Sequence, residues 1–113
     1  MSSRRLILAG ATAILAAALI HPSPASAADA ATNFKKKCAA CHGAEGEPNK
    51  VFAKQGVRSF KDAEWQKATK DAQIEESIKT GKKGTLMAGF GKQLSDAEIK
   101  ALVTYVRTFA PKE

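Results

Sequence analysis

The sequence predicts a small all-α domain, and three observations support this prediction. Its 113 residues allow one domain of modest size. Apolar residues recur every three or four positions in several segments, as they do on one face of a helix. No run of alternating β-branched and aromatic residues indicates a strand. With 26% charged residues, 8 glycines and 4 prolines, the composition also excludes collagen-like, low-complexity and wholly disordered chains.

Residues 1–27 have the organisation of a secretory signal peptide. A basic start at Arg4 and Arg5 precedes an apolar run over residues 6–20, which at 15 residues is shorter than a membrane span. Residues 25–27, Ala-Ser-Ala, then provide the small-x-small pattern of a cleavage site. We therefore expect export to the periplasm, cleavage after position 27, and a mature domain over residues 28–113 that is not stably inserted in the membrane. The alternative is that the apolar run is a membrane anchor.

The mature domain is small for a chain that must form its own core. Removal of 27 residues leaves 86, a length at which only ~60–65% of the unfolded surface is buried. The two cysteines, Cys38 and Cys41, are too close in sequence for a disulfide to join distant parts of the fold. We therefore expect a bound cofactor to complete the core.

The first predicted helix of the mature domain leads into the cysteines, with Ala30, Phe34 and Cys38 spaced four residues apart. Glycines and a proline then indicate a loop from Gly43 to Gly56. A short helix is predicted to follow, from Asp62 to about Ala68.

Two further helices are predicted towards the C-terminus. One has Asp71 as its N-cap, carries Ile74 and Ile78 four residues apart, and ends at Gly81. Residues 81–94 contain four glycines without periodicity, which predicts a long loop of the kind that often carries function. The last helix begins with a capping box, Ser95-Asp96-Ala97-Glu98, and ends before Pro111. Its apolar face consists of Ile99, Leu102, Val103 and Val106.

The chemistry of the chain is concentrated in Cys38-Ala39-Ala40-Cys41-His42. Cysteines three residues apart on a helical turn lie on one face, so both sulfurs can bond to the two vinyl groups of one haem. The histidine that follows is then placed to bind the iron from one side. This spacing predicts covalent attachment of one haem c through Cys38 and Cys41, with His42 as an iron ligand.

Two other chemistries use the same cysteine spacing. A thioredoxin-like redox pair follows a strand in a βαβ unit, and no such strand is predicted before Cys38. A zinc site needs about four ligands, whereas the mature sequence supplies only Cys38, Cys41 and His42 as sulfur or imidazole donors. Both alternatives are therefore less favoured than haem attachment.

Met87 is the natural candidate for the other iron ligand. Met1 and His21 fall in the predicted signal peptide, so the mature chain keeps one methionine, Met87, and one histidine, His42. Met87 lies in the glycine-rich loop, 45 positions after His42, and a thioether is a known axial ligand of haem iron. The alternatives are that Met87 only fills the core, and that the iron has an open position or a lysine ligand.

The mature chain resembles a class I c-type cytochrome of the bacterial monohaem type. The resemblance extends from the helix before Cys38 through Met87 to the last helix, and it implies three to five helices around one covalent haem with long ligand loops. In this family the first and last helices cross, and Ala30, Phe34 and Tyr105 stand at the expected contact positions. The segment from Gly84 to Phe90 is similar to the ligand loop of the family, except that Ala88 replaces the proline that often follows the methionine. The resemblance also implies a proline carbonyl acceptor for the proximal histidine, a role for which Pro48 is the nearest proline.

Iron held by imidazole and thioether changes its charge by one unit with little rearrangement, which suits a soluble electron carrier rather than an enzyme. The thioether and an apolar pocket both raise the reduction potential. With both axial positions occupied, no site remains for a substrate. The alternative is a haem-based sensor or enzyme with an open sixth position.

Lysines and the single tryptophan are candidates for contacts around the haem. Lys35, Lys36 and Lys37 precede the motif, and Lys82, Lys83 and Lys92 flank the Met87 loop. Such a basic rim would steer a redox protein with an acidic docking surface, although these lysines could equally form an ordinary solvated surface. The Trp65 indole could donate to a haem propionate or simply pack in the core. We expect a monomer, with redox proteins and not nucleic acid as its partners.

Overall fold

The structure is a computed structural model, and it describes residues 9–17 and 26–112. Residues 9–17 have no regular secondary structure. Arg4, Arg5 and residue 25 of the predicted cleavage motif lie outside the described residues, so the signal peptide stays a prediction. None of the helices in the described part of the chain combines the length and apolarity needed to cross a membrane.

The described residues form helices and loops without any strand, which confirms the all-α prediction. The helices are α1 Ala27–Lys37, α2 Ala39–His42, α3 Lys50–Lys54, α4 Ala63–Ala68, α5 Asp71–Thr80 and α6 Asp96–Arg107. These six exceed the expected three to five because α2 and α3 are short, with 4 and 5 residues. Residues 81–95 contain no helix or strand, in agreement with the predicted long loop.

Helix α3 lies inside the segment that was predicted to be a loop, and that prediction was wrong at these residues. The Asn49 side chain accepts hydrogen bonds from the amides of Val51 at 3.0 Å and Phe52 at 3.1 Å, and so caps the helix start. The helix is too short to show the apolar periodicity by which longer helices are predicted.

The core forms where α1 packs against α6. Ala30 and Phe34 on α1 and Ile99 and Leu102 on α6 are each at most 2% exposed. The rings of Phe34 and Tyr105 lie 5.1 Å apart between their centroids. This is the crossing of first and last helix that the resemblance implies, with the small Ala30 allowing the two backbones to approach.

A capping box begins α6, as predicted, and it also joins α6 to α1. Glu98 donates its amide to Ser95 Oγ at 3.1 Å, and Ser95 donates its amide to Glu98 Oε1 at 3.0 Å. The other carboxylate oxygen of Glu98 accepts from Asn33 Nδ2 at 3.1 Å. These hydrogen bonds, from Ser95 first and then from Asn33, lower the pKa of Glu98.

Helix α5 begins one residue earlier than predicted, so the assignment of Asp71 as its N-cap was wrong. The N-cap is Lys70, whose amide donates to Gln73 Oε1 at 2.8 Å, and Asp71 is the first helical residue. The Asp71 carboxylate instead accepts from Arg107 Nε at 2.8 Å. Ile74 and Ile78 are buried as predicted, and they pack α5 against α6.

Candidate functional site

The cysteine motif lies at a break between two helices. Cys38 ends α1 and also begins α2, with φ −116° and ψ −37°. Its carbonyl accepts from the amides of Cys41 at 3.2 Å and His42 at 2.9 Å, which closes one turn over the motif. Cys38, Cys41 and His42 are therefore brought together on one helical turn, as the spacing predicts.

The two cysteines form no disulfide with each other, and both are half-buried. Burial raises the pKa of the Cys38 thiol to about 11, against the opposing effect of the Lys37 ammonium. Reactive redox cysteines have a lowered pKa, because the thiolate is the nucleophile. The environment of Cys38 therefore does not favour a thiol–disulfide redox pair.

The His42 imidazole is held in an apolar environment. Its ring stacks on Phe60 with centroids 4.7 Å apart and an interplanar angle of 18°. Burial lowers the pKa of His42, and the positive charge of Lys82 lowers it further. His42 is therefore neutral at neutral pH, which is the form that binds metal ions.

The Nδ1 atom of His42 is buried and has no hydrogen-bond partner among the described residues. A buried polar atom without a partner costs roughly 1–3 kcal/mol, and such atoms in native proteins often belong to functional sites. Two free thiols and a neutral imidazole on one turn fit a covalently attached haem. No proline carbonyl, from Pro48 or elsewhere in the described residues, accepts from this nitrogen.

Glycines immediately after the motif allow the chain to turn back over it. Gly43 has φ +80°, and a Cβ there would lie 1.9 Å from the Glu47 carbonyl oxygen. At Gly46 a Cβ would lie 2.6 Å from the Phe109 ring. The Gly46 carbonyl accepts from the Phe60 amide at 2.8 Å, which brings Phe60 back to His42.

Met87 lies half-buried on a tight loop whose two ends are hydrogen-bonded together. The Lys82 amide donates to the Met87 carbonyl at 3.0 Å. The Thr85 hydroxyl donates to the Lys82 carbonyl at 2.7 Å and accepts from the Met87 amide at 3.2 Å. The backbone of the proposed ligand is therefore fixed from both sides.

The same loop is attached to the end of α5. The amides of Phe90 and Gly91 donate to the carbonyls of Ile78 at 2.8 Å and Lys79 at 3.0 Å, two of the carbonyls that a helix end leaves without partners. The approach is so close that a Cβ at Gly89 would lie 2.8 Å from the Lys79 oxygen. These contacts hold the loop directly after Ala88.

The structure does not bring Met87 into contact with His42. Lys82 lies near both residues. It stands at the base of the Met87 loop, and its positive charge lowers the pKa of His42.

Trp65 packs on Phe60 with ring centroids 5.1 Å apart. Five of the lysines predicted to surround the site are exposed: Lys35, Lys36, Lys82, Lys83 and Lys92. The sixth, Lys37, donates to Gln93 Oε1 at 3.1 Å.

Phe60 is the residue of the site that sequence analysis missed. It is only 7% exposed, and its ring lies within 6.4 Å of the rings of His42, Phe34, Trp65 and Phe109, centroid to centroid. It stands in a segment without periodicity, so no local pattern marks it. The only available signal is that aromatic residues make up just 6% of the chain.

Comparison with known proteins gives consistent matches to haem proteins. Residues 25–106 match the protein family described as cytochrome c oxidase, cbb3-type, subunit III. The chain is similar to the cbb3-type cytochrome c oxidase subunit FixP of Azorhizobium caulinodans, with 36% identity over 75 residues, which is 66% of this chain and 24% of FixP. It thus spans about a quarter of that oxidase subunit's length.

Two smaller proteins match over most of their length. Cytochrome c-553 of Helicobacter pylori is 36% identical over 74 residues, which is 65% of this chain and 71% of the relative. The solved structure of the KustC0563 c-type cytochrome matches with a TM-score of 0.68 and 38% identity, over 74% of this chain and 99% of that protein.

Proposed function

This chain belongs to the c-type cytochrome family described as cytochrome c oxidase, cbb3-type, subunit III, and from that premise we propose that it is an exported monohaem carrier of single electrons. As a c-type cytochrome it binds covalent haem c with iron. We propose Cys38 and Cys41 as the attachment points, His42 as the proximal ligand and Met87 as the distal ligand. The observation that carries this proposal is the single helical turn that holds Cys38, Cys41 and His42 together.

Bound haem supplies an iron centre that gains and loses one electron. The protein's part is to hold the ligands and to exclude water. His42 would bind the iron through its imidazole, which is stacked on Phe60, and Met87 would supply a thioether, a ligand that favours ferrous iron. The buried aromatic residues around His42 provide an apolar pocket that raises the reduction potential further.

The way the relatives match supports a carrier function for one haem domain. The chain corresponds to 99% of a small solved cytochrome and 71% of cytochrome c-553, but to only 24% of the oxidase subunit. We propose that it acts in the periplasm as a monomer and exchanges electrons with redox proteins that present acidic surfaces. Cell fractionation tests the compartment, since a retained anchor would place the protein in the membrane fraction.

Absorption spectroscopy of the purified protein tests the ligand assignment. We expect a low-spin spectrum, haem that stays with the protein after denaturing extraction, and a weak sulfur-to-iron band in the far red of the oxidised form. Loss of the haem on extraction would contradict covalent attachment.

The alternative function is a haem sensor or enzyme with an open iron position. It predicts that the ferrous protein binds carbon monoxide rapidly. The carrier predicts slow or absent binding, because Met87 must first leave the iron. Rapid binding by the unmodified protein would favour the alternative.

A further inference from the structure

The Gln66 side chain joins the segment before α4 to the end of α6. Its amide nitrogen Nε2 donates to the Phe60 carbonyl at 2.7 Å and to the Val106 carbonyl at 3.1 Å. Its oxygen Oε1 accepts from Arg107 Nη1 at 2.9 Å. Both amide hydrogens and the amide oxygen are therefore used, although Gln66 lies in a helix of only 6 residues.

Arg107 fixes the direction in which the Gln66 amide points. Its guanidinium also donates to the carbonyls of Gln66 and Thr69 and to the Asp71 carboxylate. Arginine only donates hydrogen bonds and a carbonyl only accepts them, so a flipped amide would lose all three contacts. The amide nitrogen is thereby directed towards the Phe60 carbonyl.

Phe60 is held at both of its backbone polar groups. Its amide donates to Gly46 at 2.8 Å and its carbonyl accepts from Gln66. Its buried ring stacks on His42 with an interplanar angle of 18°. In the described residues this stacking is what orients the imidazole, because Nδ1 of His42 has no hydrogen-bond partner.

We propose that Gln66 is a positioning residue for His42 and that it acts through the Phe60 ring. The inference rests on the proposed role of His42 as proximal iron ligand. A ligand imidazole can rotate about its Cβ–Cγ bond, and the angle of its plane would determine how it overlaps with the iron orbitals. By holding Phe60 in place, Gln66 sets that angle.

The test compares Gln66→Glu with Asp71→Asn in the haem-loaded protein. Gln66→Glu keeps the shape and the acceptor for Arg107, but it cannot donate to the Phe60 carbonyl. Asp71→Asn weakens another Arg107 contact on the surface and leaves the Gln66 contact intact, so it is the matched control. The readouts are the electron paramagnetic resonance g values of the ferric protein and the proton shifts of the haem methyl groups, which both report the imidazole plane.

We expect Gln66→Glu to shift the g values and to change the order of the haem methyl shifts, and Asp71→Asn to leave both as in the parent. A Gln66→Glu protein that is less stable but has parental g values and methyl shifts would overturn the proposal. If Gln66→Glu does not fold, Gln66→Met takes its place, since it removes the amide without adding charge. Its g values and haem methyl shifts are then compared with those of the parent in the same way.

A double-mutant cycle shows whether the effect passes through Phe60. Phe60→Leu removes the stacked ring, so adding Gln66→Glu to it should produce little further shift. An equally large shift in the Phe60→Leu background would overturn the proposal. A parent protein without a low-spin histidine-ligated spectrum would instead contradict the proposed function, and this is seen before any variant is compared.

Discussion

At the scale of single residues, the two proposed iron ligands are held in different ways. His42 is in a helical turn and is oriented by the ring of Phe60. Met87 is in an irregular loop and is held by backbone hydrogen bonds to Lys82 and by the Thr85 hydroxyl. Preorganised ligands keep their geometry in both charge states of the iron, which is what fast electron transfer requires.

Replacing Met87 tests the distal ligand directly. Met87→Ala removes the only thioether of the proposed mature chain, so the reduction potential should fall and the ferrous protein should bind carbon monoxide readily. Haem content should be retained because Cys38, Cys41 and His42 are unchanged. A redox titration and carbon monoxide mixing measure both effects.

Leu86→Ala is the control for this experiment. Leu86 is the adjacent residue and is 71% exposed, so its loss should leave the potential and the carbon monoxide kinetics unchanged. If the Met87→Ala protein has the parent's potential and carbon monoxide kinetics, Met87 only fills the core.

At the scale of elements, the start of α6 shows how one cap can serve two purposes. The capping box satisfies amides at the helix start, and Glu98 also binds Asn33 of α1. The cap therefore contributes to the helix and to the α1–α6 contact that forms the core.

Removing the cap hydroxyl should destabilise the whole domain. Ser95→Ala leaves the Glu98 amide without its acceptor, and loss of such a cap costs about 1 kcal/mol. Urea unfolding measures the difference. Lys100→Ala, on the exposed side of the same helix, should stay within about 0.5 kcal/mol of the parent, and an equal loss in both variants would show that the cap is not responsible.

The Glu98 carboxylate should make this stabilisation depend on pH. Its pKa is lowered from the ordinary 4.5 in the folded protein, so its contribution is present above pH 4.5 and is lost as the pH falls through the lowered pKa. We expect the parent to be more stable than Glu98→Gln at pH 7 and to lose that advantage in acid. Unfolding curves of the two proteins across this range provide the measurement, and a difference that does not change with pH would contradict the prediction.

At the scale of the whole molecule, the core is small and lies beside the turn over Cys38, Cys41 and His42. The buried residues of the described chain form one cluster around Phe34, Ile99 and Leu102, and the half-buried Cys38 packs against it. A domain of this size is marginally stable without assistance. Attached haem would therefore supply part of the core as well as the chemistry.

Preventing attachment should leave a poorly folded protein. Cys38→Ser combined with Cys41→Ser removes both covalent bonds with little change in side-chain volume. Circular dichroism of the haem-free double variant should show much less helix than the parent. Helix content equal to that of the haem-loaded protein would show that folding does not depend on haem attachment.

The charge of the molecule should determine how fast it meets its partner. The full sequence has 18 basic and 11 acidic residues, and removal of Arg4 and Arg5 with residues 1–27 leaves 16 basic residues. Because lysines are also exposed at the Met87 loop, reduction by an acidic redox protein should slow as salt rises, since charges are screened within about 8–10 Å at 0.1–0.15 M. Charge reversal at Lys82 and Lys83 should slow the reaction more than reversal at Lys112. Rates that do not depend on salt would show that these lysines do not steer docking and form an ordinary solvated surface.

Features that depend on local spacing could be predicted without the structure. The turn over Cys38, Cys41 and His42, the apolar faces of α1, α5 and α6, and the capping box at Ser95 each follow from residues three or four positions apart, which are neighbours on a helix. The family resemblance added the crossing of α1 and α6, which the structure confirms through Phe34 and Tyr105.

Contacts between residues far apart in sequence became visible only in the folded protein. Phe60 stacks on His42, Gln66 reaches Val106 across 40 positions, and the Asp71 carboxylate binds Arg107 instead of capping its own helix. No local pattern encodes such contacts, because they depend on where the loops after the motif return the chain. Spacing alone therefore predicted His42 as an iron ligand, whereas its contact with Phe60 became visible only once the chain was folded.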